Sequence, residues 1–461
     1  MAEFIKRSVF ACGAEALWAF HARPGAFERL MPPWQRLRVL ESTGNFAERR
    51  LLFEIAAGPA RVRWLAQHQG CIEGREFRDR MVTGPMAAWE HTHTFVPMSD
   101  GRSELIDRVE YRLPGGAIGR VLAGGKFARD LERMFRFRHR RTAEDIARHQ
   151  TTGLAPLRVA VTGASGYIGS RLVPFLLNGG HRVSCLVRPG TRVDWPGLPV
   201  DRIAWNPERG EIDRAALEGH DAVVHLAAAA IDERRWDARQ RERIAATRVG
   251  PTALLAGALA KLASPPRVLV SASGINVYPA TGGPHDESAP IADNFLAGVV
   301  RQWERATEAA EQAEIRVVHL RMGVVMDGRG RALRKMVTPF QLGLGAQLGD
   351  GRPYTPWIAI DDVLGVVLHA ISDSRLRGAV NTVSPAPVTS DELTRTLARV
   401  LGRPRLLRIP GSVLRAAMGG IADTVLRSCY ATPRKLLETR FQFRSANLEQ
   451  TLRMELGRLE A

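Results

Sequence analysis

The chain has 461 residues, 45% hydrophobic and 25% charged, and its 65 Lys and Arg against 48 Asp and Glu give a formal charge of +17. That apolar content supports several packed cores and excludes a disordered or fibrous chain. Lysine stands at only five positions, Lys6, Lys126, Lys261, Lys335 and Lys435. The positive excess is therefore arginine spread through every segment, which points to composition and not to a nucleic-acid partner. The densest run, Arg136 to Arg141, alternates with Phe and reads as one solvated face of an amphipathic helix. No apolar stretch is long enough to span a bilayer. Cys12, Cys71, Cys185 and Cys429 are far apart and form no C-x-x-C pair. That fits a reducing compartment and argues against structural zinc or a disulfide framework. Glu3 and Glu15 interrupt the apolar N-terminus, so a signal peptide is not expected and a cytoplasmic protein is.

In chain order, Ala14 to Phe20 reads as a helix and Pro32 to Trp34 as a turn. Strand patterns follow at Leu37–Glu41, Arg50–Ile55, Ala60–Gln67, Arg75–Val82, Ala88–Phe95 and Ser103–Arg112, separated by glycines and charges as in an antiparallel sheet. A long helical pattern runs from about Ile118 to Arg148. Residues 1–150 thus form an α+β unit whose sheet and closing helix could enclose an apolar cavity for a hydrophobic ligand. His91 and His93 share one strand face, but without a third ligand beside them no metal site is expected. Thr151 to Pro156 is a linker.

From Leu157 the rhythm changes to alternating strands and helices. Strands fall near Val159–Val161, Arg182–Leu186, Asp201–Trp205, Ala222–Leu226, Arg267–Ser271 and Arg316–Arg321. This predicts an α/β unit with a doubly wound parallel Rossmann sheet over 157–400. The segment 401–461 reads as a small helical domain appended to it. Asp361 and Asp362 open a helix, where capping is the expected role.

The most telling run is V-A-V-T-G-A-S-G-Y-I-G at Val159 to Gly169. A buried strand leads into Gly163, Gly166 and Gly169, and a helix follows. That is a dinucleotide cradle, where bare backbone lets the pyrophosphate approach and free helix N–H groups hold its charge. Ser165, Tyr167 and Ile168 complete the turn. An acidic residue after the second strand would bind the ribose hydroxyl of NAD. Here Arg188 follows, with Arg192 nearby, and either can pair with a 2′-phosphate, which favours NADP over NAD. Small residues after Leu226, at Ala227 and Ala228, let the adenosine side lie close. Ser271, Ser273 and Tyr278 fall at or after the end of the fifth strand, toward the ligand crevice. His225 reads as a packed strand residue.

With these residues in view, the middle of the chain resembles the extended short-chain dehydrogenase/reductase superfamily of the nucleotide-sugar epimerase type. More narrowly it is similar to an epimerase-like group of cell-division-inhibitor-like oxidoreductases. W-N-P at Trp205, R-R-W at Arg234 to Trp236, S-A-S at Ser271, W-E at Trp303, R-M-G-V-V at Arg321, L-G-L-G-A at Leu342 and P-W-I-A-I-D-D at Pro356 carry the resemblance. The stretches I-P-G-S-V-L-R at Ile409 and P-R-K-L-L-E-T-R-F-Q-F at Pro433 resemble that group's own C-terminal domain. Leu17 to Trp34 and the long closing helix make residues 1–150 resemble a helix-grip (SRPBCC/START-like, polyketide-cyclase-like) ligand-binding domain.

One departure bears on function. The superfamily uses Y-x-x-x-K, in which Tyr moves the proton and Lys lowers its pKa. None of Tyr111, Tyr167, Tyr278, Tyr354 and Tyr430 has Lys four residues on. Counted back from Glu304, the two family positions fall at Leu296 and Val300. Ser273 then matches the family's catalytic Ser, unless it caps the next helix or touches the cofactor. Tyr278 is either a substitute acid or a packed aromatic. The expectation is an NADP-binding, epimerase-like oxidoreductase of atypical active site acting on a small-molecule substrate. The alternative is an NADP(H)-sensing or ligand-binding regulatory protein without turnover.

Overall fold

A computed structural model describes residues 1–58, 60–191, 195–231 and 236–459. Strand β1 (Ala2–Phe10) precedes helices α1 (Ala14–Ala22) and α2 (Ala26–Leu30). Strands β2 (Leu37–Thr43), β3 (Arg50–Ala57), β4 (Ala60–Ile72), β5 (Glu76–Thr83), β6 (Ala88–Pro97) and β7 (Ser103–Arg112) follow, closed by α3 (Gly116–Thr152). The seven strands form one antiparallel sheet in the order β1-β7-β6-β5-β4-β3-β2. Helix α3 has 37 residues, which at about 1.5 Å per residue makes it roughly 55 Å long.

Strand β1 has no counterpart among the strands read from sequence. Its buried side holds Phe4, Lys6, Ser8 and Phe10, while Ile5 and Val9 point outward. Apolar residues on both faces erase the period-two signal. Lys6 is accommodated because its Nζ donates to Glu132 of α3 at 2.7 Å. Between sheet and helix, Phe10, Leu17, Trp18, Phe77, Phe95 and Leu105 form one packed cluster, and Val109, Tyr111, Leu131 and Phe135 form another.

The second unit runs through β8 (Arg158–Thr162), α4 (Gly169–Asn178), β9 (Arg182–Val187), β10 (Val200–Asn206), β11 (Glu211–Ile212), β12 (Ala222–His225), α5 (Ala238–Leu259), β13 (Val268–Gly274), α6 (Phe295–Arg305), α7 (Glu308–Gln312) and β14 (Arg316–Met322). The sheet order is β11-β10-β9-β8-β12-β13-β14, ending on the Gly378–Thr382 strand. All pairs are parallel except β10 with β11. Strand order reverses between β8 and β12, which opens a crevice at their C-terminal ends. Inward residues alternate between the faces. Val159 and Val161 pack with Leu172, Leu176, Val363 and Leu364 on one side, and Ala160 packs with Leu186, Leu255 and Leu259 on the other.

The C-terminal segment is woven in, not appended. Leu436 and Phe441 enter the main core of the parallel sheet, and Leu448 and Leu452 pack with Met326, Trp357 and Leu397. Helical period was legible there, but the partner surface was not. Asp361 and Asp362, expected to cap, instead bind other segments. Asp361 pairs with Arg29 at 3.0 Å and with Arg141, while Asp362 pairs with Arg148 at 2.8 Å. Among the described residues, no helix is long and apolar enough to cross a membrane.

Candidate functional site

The glycine run forms a tight turn between β8 and α4. Gly163 takes φ +66°, and a Cβ there would lie 2.7 Å from the carbonyl carbon of Leu226 and from the Ala227 nitrogen. A Cβ on Gly169 would meet the Gly163 oxygen at 2.4 Å, and one on Gly166 would meet it at 2.9 Å. Each glycine is required by close backbone approach. Ser165, Gly166 and Tyr167 stand exposed on the turn, and Ile168 leads into α4 without a side-chain cap. The turn runs directly into the helix, with the Ser170 amide on the Gly166 carbonyl at 2.8 Å and the Leu172 amide on the Ile168 carbonyl at 2.9 Å, and the positive end of the helix faces the glycine turn.

Across the turn, Thr162 pins the exit of β12. Its Oγ1 accepts from the amides of Leu226 at 3.1 Å and Ala227 at 3.2 Å. Ala228 follows, exposed. His225 is a buried hub, 2.7 Å from Thr162 Oγ1 and 2.9 Å from Thr252 Oγ1, and burial lowers its pKa to about 4. Arg188 emerges from β9 on the surface, where among the described residues it pairs with the exposed Glu208 at 3.4 Å. Such a pair is weak and yields readily to a bound anion. Arg192, Arg234 and Arg235 lie outside the described residues.

The ends of β13 and β14 hold a buried polar node. Ser273 Oγ donates to Glu304 Oε1 at 2.7 Å. Arg321 grips Glu304 through Nε at 2.9 Å and Nη2 at 2.8 Å. Its Nη1 donates to Tyr278 Oη at 2.9 Å, and that hydroxyl donates to Asn381 Oδ1 at 2.7 Å. Burial alone would raise the Glu304 pKa, but the bonds and charge of Arg321 outweigh it and hold the carboxylate below its usual range. Ser271 sits deeper, buried beside its own strand.

Tyr278 does not match a substitute acid at the crevice. Its relative exposure is 0%, it stacks on His285, and burial pushes its pKa up to about 12 despite Arg321. The packed reading of this residue prevails, because both hydroxyl partners come from strands far away in sequence. Leu296 and Val300 are buried on α6, and Val300 faces Gly274 of β13. One turn further on, Glu304 meets Ser273. Glu304, Arg321 and Asn381 were not singled out as site residues; the W-E and R-M-G motifs marked two of them without showing their contact.

The expectation that His91 and His93 lack a third ligand also fails. Strand pairing sets Asp79 of β5 opposite His91 and Asp107 of β7 opposite His93. Sequence spacing cannot show cross-strand neighbours.

Three family patterns match the chain: polyketide cyclase/dehydrase and lipid transport over 12–137, the NAD dependent epimerase/dehydratase family over 159–381, and a domain of unknown function over 409–454. Epimerase family protein Mb2239 of Mycobacterium bovis is 37% identical over 296 residues, 64% of this chain and 96% of that protein. A nucleoside-diphosphate sugar epimerase structure from Corynebacterium glutamicum is 30% identical with a TM-score of 0.80, covering 99% of this chain and 90% of that one. The structure of human epimerase family protein SDR39U1 with NADPH is 32% identical with a TM-score of 0.59, covering 66% of this chain and 100% of that one. With the cradle, the Rossmann strand order and these matches together, the chain belongs to the NAD(P)-dependent epimerase family that includes SDR39U1, with a polyketide-cyclase-like domain on its N-terminal side.

Proposed function

We propose that the chain binds NADP(H) in the Gly163–Gly169 cradle and acts as an epimerase-like oxidoreductase of atypical active site on a small-molecule substrate. The observation that carries this is the cradle itself, where any Cβ on Gly163 or Gly169 would strike backbone. Arg188, weakly engaged at the end of β9, supports NADP over NAD, as does the NADPH held by the human relative. When bound, the nicotinamide gives or takes a hydride. Thr162 holds the Leu226 and Ala227 amides so that the β12 exit stays against the turn. Ser273 keeps its proton on Glu304, which leaves its lone pairs to accept from a substrate hydroxyl. The units 1–150 and 157–400 divide the work, a hydrophobic ligand at the first and cofactor and substrate at the second, with 401–461 packed into the cores of the second.

A second reading, NADP(H) sensing without turnover, is favoured by one observation: the Tyr278 hydroxyl is sealed between Arg321 and Asn381. Titration with NADPH and NADH tests the cradle, and Arg188→Ala should bring NADPH affinity down to that for NADH. No binding of either nucleotide below millimolar concentration would overturn the proposal. NADPH oxidation across a carbonyl library, with Ser273→Ala and Tyr278→Phe beside the parent chain, separates the two readings. Turnover lost in Ser273→Ala and kept in Tyr278→Phe supports the enzyme; binding without any turnover supports the sensor.

A further inference from the structure

Away from the dinucleotide crevice, the inner face of the N-terminal sheet holds a cluster that the proposed chemistry does not use. Asp79 of β5, His91 and His93 of β6, Asp107 of β7 and His139 of α3 converge there. His91, His93, Asp107 and His139 are all buried. One ligand atom from each of Asp79, His91 and His93 can be chosen so that all three lie within 4.8 Å of one another.

The separations straddle those of a shared ion, so binding one would replace the direct His91–Asp79 contact and shift the ligands by roughly a few tenths of an ångström. Asp79 Oδ2 lies 2.9 Å from His91 Nδ1 and 3.6 Å from His93 Nε2. Ligands about 2.1 Å from one metal, at angles between octahedral and tetrahedral, stand roughly 3.0–3.4 Å apart. The remaining ring nitrogens turn to a second carboxylate. His91 Nε2 is 2.9 Å from Asp107 Oδ1, and His93 Nδ1 is 2.7 Å from the same oxygen. A carboxylate behind a ligating imidazole fixes its tautomer and orientation and raises its basicity. His139 Nε2 braces the other Asp107 oxygen at 2.6 Å, and Phe77 stacks on the His93 ring at 4.1 Å.

His93 Nδ1, the ring nitrogen that faces Asp107 and not Asp79, lies 2.7 Å from Asp107 Oδ1 without hydrogen-bonding geometry. The Asp79 side chain is 21% exposed, against 2% for His91 and 9% for His93, so an ion has a way in. Two imidazoles and one carboxylate favour zinc, iron or cobalt over magnesium or calcium.

We propose that the N-terminal unit carries a divalent transition-metal site made by Asp79 Oδ2, His91 Nδ1 and His93 Nε2, with Asp107 orienting the His91 ring. The test uses the full chain, stripped with a chelator, dialysed and titrated with Co²⁺ by visible absorption and with Zn²⁺ by calorimetry. The expected result is about one ion per chain, with Co²⁺ ligand-field bands. Asp79→Asn and His93→Gln should each weaken binding by about tenfold or more, with circular dichroism and thermal melts reporting whether each variant is folded. Asp79→Asn at the open edge serves if His93→Gln does not fold. Failure of the parent chain to bind either ion at about 100 μM, or undiminished binding by folded Asp79→Asn, overturns the proposal and leaves a metal-free hydrogen-bonded network.

Discussion

Gly163 is where backbone conformation and ligand chemistry meet. Its φ of +66° disfavours any side chain, and an added Cβ would sit 2.7 Å from the backbone of Leu226. Gly163→Ala must therefore push the β8–α4 turn and the β12 exit apart, the two edges between which a pyrophosphate would lie. The strain is about 1–3 kcal/mol. Because the turn can relieve part of it by opening, the loss should fall on binding as well as on stability. NADPH affinity should drop by tenfold or more, about 1.4 kcal/mol, measured by nucleotide fluorescence. Affinity within twofold of the parent chain would refute this role for Gly163. The glycine spacing was legible because strand, turn and helix are contiguous in sequence. Tyr278 was not legible to the same degree, since Arg321 and Asn381, which hold its hydroxyl, lie 43 and 103 residues away.

At the scale of elements, the Glu304 carboxylate ties α6 to β13 and β14 beside the apolar contact of Val300 with Gly274. Leu296, Val300 and Glu304 recur every four residues, so they line one face of that helix. The first two are apolar where the superfamily places Tyr and Lys; the third reaches Ser273 and Arg321. The Glu304 and Arg321 side chains are 13% and 6% exposed. Removing one partner of such a buried pair typically costs about 3–5 kcal/mol, because the other charge is left without compensation. Glu304→Gln should therefore lower stability by about 3 kcal/mol in urea denaturation. Glu208→Gln, at the exposed pair with Arg188, should change it by no measurable amount. Equal effects from both variants would mean that the node does not hold the helix. Elements with a clean period were found from the sequence almost to their ends. β1 escaped because its apolar residues face both ways, the Gly378–Thr382 strand because G-A-V-N-T is short and mixed, and β11 with the two- and three-residue strands after β14 because so few residues carry no period.

The whole molecule is joined by charges that no single segment announces. Arg29, Arg141 and Arg148 of the N-terminal unit reach Asp361 and Asp362 of the parallel-sheet unit. Asn178 of α4 donates to the Phe20 carbonyl at 2.7 Å, and Arg133 of α3 donates to the Gly457 carbonyl at 2.9 Å. Near this junction Glu455 is buried, with its Oε2 accepting from the Gly328 amide at 2.8 Å. Burial, then the charges of Asp327 and Asp361, push its pKa up to about 8. A glutamate in an unfolded chain titrates near 4.3. The folded state therefore binds the proton more tightly, and the stability this confers is complete below about pH 4.3 and lost as pH rises toward 8. Glu455→Gln keeps an acceptor for Gly328 and removes the titration. The variant should match the parent chain near pH 4.5 and gain on it as pH rises, by at most about 1.4 kcal/mol per pH unit. The gap should level off above pH 8. Urea denaturation of both proteins across this range checks it. Parallel stability curves would show that Glu455 is already ionised in the folded chain, with its charge balanced by Arg329 and Arg141 across the junction.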